Sequence, residues 1–265
     1  MLVLLMASAV AALAATDGGN VSTAWELVAQ HLPRDALARL GKNAAPADRE
    51  AAFVRAVIQM DSQPASDLRL QHVVAELTEL ARGNDEVAFA SAYLVGRIWQ
   101  VHFFTPDPAR AAQAYATLAG QHPGTYWAQL ALVKLALLKL YVLPEPTTPE
   151  ARIAEVESFL AQVTEPDLQR DLQLVIGRAR LFHRLPGVLP HLLAAAQAGG
   201  LMGQIRADLQ VQVAELSRRE GNLEQAKDYF QQFLAENEVD GRVYTVRMKL
   251  AEICAAQAAR KDGAP

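Results

Sequence analysis

From Val21 onward, apolar residues recur at helical spacing in segments separated by short breaks of Pro, Gly, Asn or Asp. Almost none of the β-branched alternation of a strand is present. The pattern predicts helices near 21–31, 33–42, 47–60, 65–82, 85–103, 108–121, 125–141, 149–163, 167–184, 187–198, 201–219, 222–236 and 241–260. The connections are short, so successive helices are expected to run antiparallel and to pack as αα-hairpins.

Several of these starts and stops have a local cause. Asp107-Pro108 sets a capping carboxylate before a proline at the first helical position, where the missing N–H is no loss. Thr148-Pro149-Glu150 repeats the device and adds an acidic residue where the helix dipole favours it. Gly41, Gly83 and Gly199-Gly200 follow apolar runs, as left-handed caps would. The window Leu143-Pro144-Glu145-Pro146-Thr147-Thr148-Pro149 is the strongest break, because its prolines forbid a continuous helix. It suggests two helical lobes, 21–142 and 150–265, joined by a Pro-rich connector at 143–149. Tyr126 to Tyr141 is apolar nearly all round and too short to span a bilayer. It is expected to be a buried central helix, with Lys134 and Lys139 snorkelling outward.

Two windows share a further pattern. Asp107 to Tyr115 leads on to Leu118 and His122-Pro123, and Asn222 to Phe230 follows the turn at Gly221 and leads to Phe233-Leu234. In each, a polar cap stands four residues before an alanine and an aromatic stands four after it, so alanine and aromatic share one face a turn apart. The small side chain lets a paired helix approach, and the aromatic fills the space beyond. On these residues the chain resembles the tetratricopeptide repeat family, with Ala111, Tyr115 and Pro123, and again Gly221, Ala226 and Phe230, at its signature positions. The preceding helices depart from the family: in the later window Gln210, Val213 and Ala214 replace most of its first-helix residues, and Glu238 stands where its closing proline is usual. The separation of the two alanines is not a multiple of the family's repeat of about 34 residues, so the intervening hairpins are irregular. The strings Tyr126 to Ala131 and Ala207 to Leu216 also look like those of exported bacterial tetratricopeptide proteins that act in envelope assembly. The resemblance implies an all-α fold, a right-handed α-solenoid of antiparallel helical hairpins with about 12 or 13 helices.

Composition narrows the function. Half the residues are hydrophobic (51%) and 20% are charged, a globular balance that excludes a wholly disordered chain of this length, 265 residues. The formal net charge is −4, and basic runs do not exceed Arg218-Arg219 and Arg260-Lys261, so no basic field for nucleic acid is supplied. Cys254 is the single cysteine, which excludes an internal disulfide; in its apolar setting it reads as a small core side chain. Residues 1–20 read as a signal peptide and a short polar mature start. The apolar run Met1 to Met6 leads to the small-x-small site Ala12-Leu13-Ala14 and then Thr16-Asp17, with cleavage expected after Ala14 and no basic residue before the run. No membrane span is expected in the mature chain.

No catalytic, cofactor or metal site is expected. The six histidines lack the spacing of a zinc helix, and the pair His183 and His191 flank only the turn Leu185-Pro186-Gly187. Gly199-Gly200-Leu201-Met202-Gly203 lacks the Lys-Ser or Lys-Thr of a phosphate loop. A protein or peptide partner is therefore expected at the surface. The resemblance implies ligand-facing positions on the first helix of each hairpin: Tyr93, Gln100, Phe103 and Phe104 as an aromatic floor, and Asp208, Glu215, Arg218 and Arg219 as a charged rim. Phe103 and Phe104 read equally well as core. The leading expectation is a non-catalytic, exported scaffold of the envelope. Its rivals are a helical enzyme or accessory domain acting on cell-wall polymers, and a cytoplasmic scaffold with an apolar N-terminal helix.

Overall fold

The computed structural model describes residues 19–40, 48–64 and 66–262, and among them it is all-helical, with 13 α-helices and no strand. The chain separates into two compact units, Met1–Pro144 and Glu145–Pro265. The division falls inside the Pro-rich window. The first unit contains α1 (Gly19–Ala29), α2 (Pro33–Leu40), α3 (Arg49–Asp61), α4 (Asp67–Leu80), α5 (Glu86–Arg97), α6 (Pro108–Gln121) and α7 (Tyr126–Tyr141). The second contains α8 (Pro149–Glu157), α9 (Pro166–Phe182), α10 (Val188–Ala198), α11 (Gly203–Arg219), α12 (Leu223–Glu236) and α13 (Val243–Asp262).

Local chemistry starts most of these helices. Asp48, Ser66, Asp85, Asp107, Thr125, Thr148 and Asn222 each accept a hydrogen bond from the backbone N–H three residues on, satisfying a donor that the first turn leaves open. Gly199 and Gly200 have positive φ (73° and 74°), which favours glycine, although the ψ of −161° at Gly199 departs from a left-handed helical cap. At Gly83 φ is not positive, which corrects that expectation; the residue lies beneath the Arg49 guanidinium, which crosses the site to reach Leu80 O (2.8 Å) and Asp85. Gly41 lies outside the described residues. Two predicted helices end irregularly: the segment expected at 85–103 turns from α to π geometry at Ile98–His102, and that at 149–163 closes in a 3-10 turn at Ser158–Ala161.

Packing runs from neighbour to neighbour, as an α-solenoid requires. In the first unit α3 also rests on α1, α5 on α3 and α7 on α5, so the odd-numbered helices form one layer and the even-numbered helices flank it. Small residues set the closeness of approach. At Gly96 of α5 a Cβ would lie only 2.5 Å from Cε1 of Tyr115 in α6, and at Gly177 of α9 one would lie 2.6 Å from Leu192 of α10. Ala111, Tyr115, Ala226 and Phe230 are fully buried at helix-pair interfaces. Phe230 and Phe233 join Ala214 of α11 and Val246 and Ile253 of α13 in the last core cluster. α7 is buried along most of its length, from Trp127 to Leu140, and Lys134 and Lys139 are half-exposed. Cys254, expected in the core, is exposed: α13 buries only the face that carries Val246 and Ile253. Among the described residues, no helix is long and apolar enough to cross a membrane.

Candidate functional site

Because α4 and α6 flank the odd-numbered layer, they leave an outward strip of α5 uncovered between them. The result is an open groove of about 460 Å³. Its floor is Ala92 and Val95, and Ala81 at the C-cap of α4 and Ala114 of α6 stand at the sides. All four side chains are small, so the space is a consequence of sequence.

One end of the groove is held firmly. The π turn after α5 delivers Trp99, whose indole stacks on the Phe103 ring (centroids 4.5 Å apart, planes at 25°) and carries the Arg110 guanidinium 4.5 Å from a ring centroid. Asp107 ties the arrangement together. Its backbone N–H donates to Trp99 O (2.9 Å), its Oδ1 accepts from Arg110 N (3.0 Å), and its Oδ2 pairs with Arg110 Nε (3.3 Å). A cation on an aromatic face is favoured by the ring quadrupole. Along α6 the wall then presents Gln113, Thr117 and Gln121, whose side chains have no hydrogen-bond partner among the described residues. His122 closes the far end, its ring 4.5 Å from that of Phe89.

The sequence-predicted positions lie elsewhere. Tyr93 (4% exposed) is a core side chain, which corrects its assignment to an aromatic floor, and Phe103 (7%) takes the core alternative of its two readings. Tyr93 packs on Tyr115 and Trp127 (centroids 5.8 and 5.5 Å), and burial pushes both the Tyr93 and Tyr115 phenols above their ordinary range. Gln100 is half-buried, and its Oε1 is occupied by the Arg97 Nη1 (2.7 Å) and Tyr115 hydroxyl (2.9 Å) donors. Phe104 alone of this set is open, at 93% exposed. The residues that do face the groove, 92, 95 and 99, lie on the adjacent face of the same helix. Their helical spacing is visible in sequence, but no local signal separates this face of the helix from the face that carries Tyr93.

The expected charged rim is largely tied up inside the second unit. Asp208 pairs with Arg242 (2.7 Å), which Asp240 also holds (2.8 Å). Glu215 pairs with Lys249 and with Arg218 (3.3 Å). Burial pushes the Glu215 carboxyl upward, yet the Lys249 and Arg218 hydrogen bonds outweigh it and leave the group below its usual range. Of these pairs only Glu215–Lys249 joins α11 to α13; Arg242 lies just before α13, and Arg218 is on the same helix as Glu215. Glu215 is mostly buried and corrected to an internal contact, Asp208 and Arg218 are paired but still partly open, and Arg219 is exposed.

A second polar cluster lies within the same unit. His191 Nε2 lies 3.2 Å from Glu157 Oε1 and its Nδ1 lies 2.7 Å from Gln173 Oε1, and Glu157 Oε1 also accepts from Arg180 Nη2 (2.5 Å). Burial lowers the His191 pKa more than Glu157 raises it. The unfolded chain therefore binds this proton first, and stability is expected to fall as pH drops from about 6.5 towards the lower folded value. Thermal melts between pH 7 and 5 should show that loss, and His191→Gln should flatten it; an equal slope in both proteins would refute the assignment. Among the described residues, no group of three or more His, Cys, Asp or Glu is placed to hold a metal ion. No family model matches this chain, and no curated protein matches it.

Proposed function

We propose that the chain is a non-catalytic scaffold of tetratricopeptide-like hairpins, exported to the cell envelope, which holds a segment of a protein partner in the groove between α4 and α6. The observation that carries this reading is the groove itself, a preformed trough with Trp99 and Arg110 at one end and a wall of exposed polar side chains. Preformed concave sites with a few placed polar groups are the usual form of a binding surface. Ala111 with Tyr115, and Ala226 with Phe230, support the repeat assignment by their complete burial at hairpin interfaces. Export is supported by the apolar run that ends Ala12-Leu13-Ala14, which lies outside the described residues.

A photo-crosslinking residue placed at Thr78, on the groove wall, should trap a discrete protein in the native cells, whereas one at the exposed Glu220 should not. Filling the floor with Ala92→Trp should abolish the adduct. Equal capture from both positions, or none from Thr78, would remove the groove as a binding site. N-terminal sequencing of the same protein should start at Ala15, and a chain beginning at Met1 would overturn the export assignment.

A further inference from the structure

We infer that a second copy of this chain packs along the outer face of α13, with the two α13 helices parallel. That helix carries apolar residues on two opposite faces. One bears Val246 and Ile253, each 2% exposed, and packs within the second unit. The other bears Tyr244 (76% exposed), Met248 (50%), Ala251, Ala255 and Ala258, all open to solvent. Their spacing alternates between four and three residues, so they form one straight seam, as the core positions of a coiled coil do. A contiguous apolar seam that includes a tyrosine and a methionine gains free energy when a partner removes it from water.

Charge along the edges of the seam selects the partner and its direction. Arg247 borders one edge and Glu252 the other; both are exposed, and neither joins an ion pair among the described residues. In a parallel pair, a residue on one edge meets the residue five positions further along the opposite edge of its neighbour. Arg247 therefore meets Glu252 of the partner subunit, and the twofold axis makes the same contact again. In an antiparallel pair like edges meet, and neither charge gains an opposite one. Side-chain size agrees with the parallel direction. Helices of this packing class cross at about 20°, so two that touch at Ala255 at about 8 Å stand about 10 Å apart at Tyr244, roughly 16 Å along the axis. The rise in size from Ala251 through Met248 to Tyr244 fills that widening gap. The seam is only about 21 Å long, so the pair is expected to exchange with monomer at micromolar concentration.

Sedimentation equilibrium of the full chain should show that exchange, and Met248→Lys should abolish it. A monomer at every concentration, or an oligomer indifferent to Met248→Lys, would overturn the second copy as the occupant. Arg247→Glu and Glu252→Arg should each weaken the dimer by about tenfold, because two attractive contacts become repulsive, and combining them should restore it. A combined variant as weak as either single one would overturn the charge pairing. In a Cys254→Ser background, Ala251→Cys and Ala258→Cys should each yield a disulfide-linked dimer, since residues at these positions face their own counterparts in a parallel pair. Two positions a heptad apart cannot both lie on the axis of an antiparallel pair, so linkage at one or neither would overturn the parallel direction. All the substituted positions are exposed, and circular dichroism would verify that the variants remain folded.

Discussion

Phe230→Ala is expected to destabilise the second unit by about 3 to 5 kcal/mol, the range for removing a fully buried aromatic ring from a packed core. The ring lies among Ala214 of α11, Phe233 of α12 and Val246 and Ile253 of α13, so three helices lose a common filler. Alanines already line part of this site, and they cannot move in to close the cavity. Urea denaturation followed by helical signal would measure the loss, and limited proteolysis should cut between α11 and α13 at lower denaturant. Phe104→Ala is the companion measurement: a ring 93% exposed should change stability by no more than about 0.5 kcal/mol. If the two substitutions had similar effects, the described core of the second unit would be wrong.

Gly96→Ala sets two effects of opposite sign against each other. In an exposed helix interior the change stabilises by about 1 kcal/mol, because glycine loses more backbone freedom on folding. At Gly96 the new methyl would sit 2.5 Å from Cε1 and 2.7 Å from Cδ1 of Tyr115, a fully buried ring whose hydroxyl is held by Gln100. Steric overlap should win, with a net loss of about 1 to 3 kcal/mol. Gly120→Ala, at an α6 position with open space around it, should instead stabilise by about 0.5 to 1 kcal/mol. Combining Gly96→Ala with Tyr115→Leu should recover part of the loss, a coupling that distant sites do not show. A stabilising Gly96→Ala would mean that α5 and α6 do not approach as closely as described.

The tight contact at Gly96 also shows where reading the sequence stops. Ala111 and Tyr115 were legible as a small-and-aromatic pair facing a neighbouring helix, because both lie on one helix and their relation is set by its period. The glycine they meet was not, since no local signal says which turn of α5 lies opposite. The candidate site failed in the same way. The resemblance implies a ligand-facing Tyr93, but it completes a core with Tyr115 and Trp127. The exposed strip is the alanine and valine one position along. Asp208 and Glu215 read as part of a charged rim, but Arg242 just before α13 and Lys249 within it pair with them. Cys254 read as core because its neighbours are apolar, yet nothing among the described residues covers its side of α13.

The sequence by itself determined that the chain is helical, where most helices begin, and which residues pair within a helix. Capping, proline geometry and the i to i+4 spacing act over a single turn and are complete in a short stretch of chain. Only the tertiary structure decided which face of α5 is core and which is groove, how α4 and α6 stand apart, and which charges are taken up internally. Those outcomes depend on which distant helix removes water from a given face. Burial and charge pairing are properties of two surfaces together, and one surface's sequence does not contain the other.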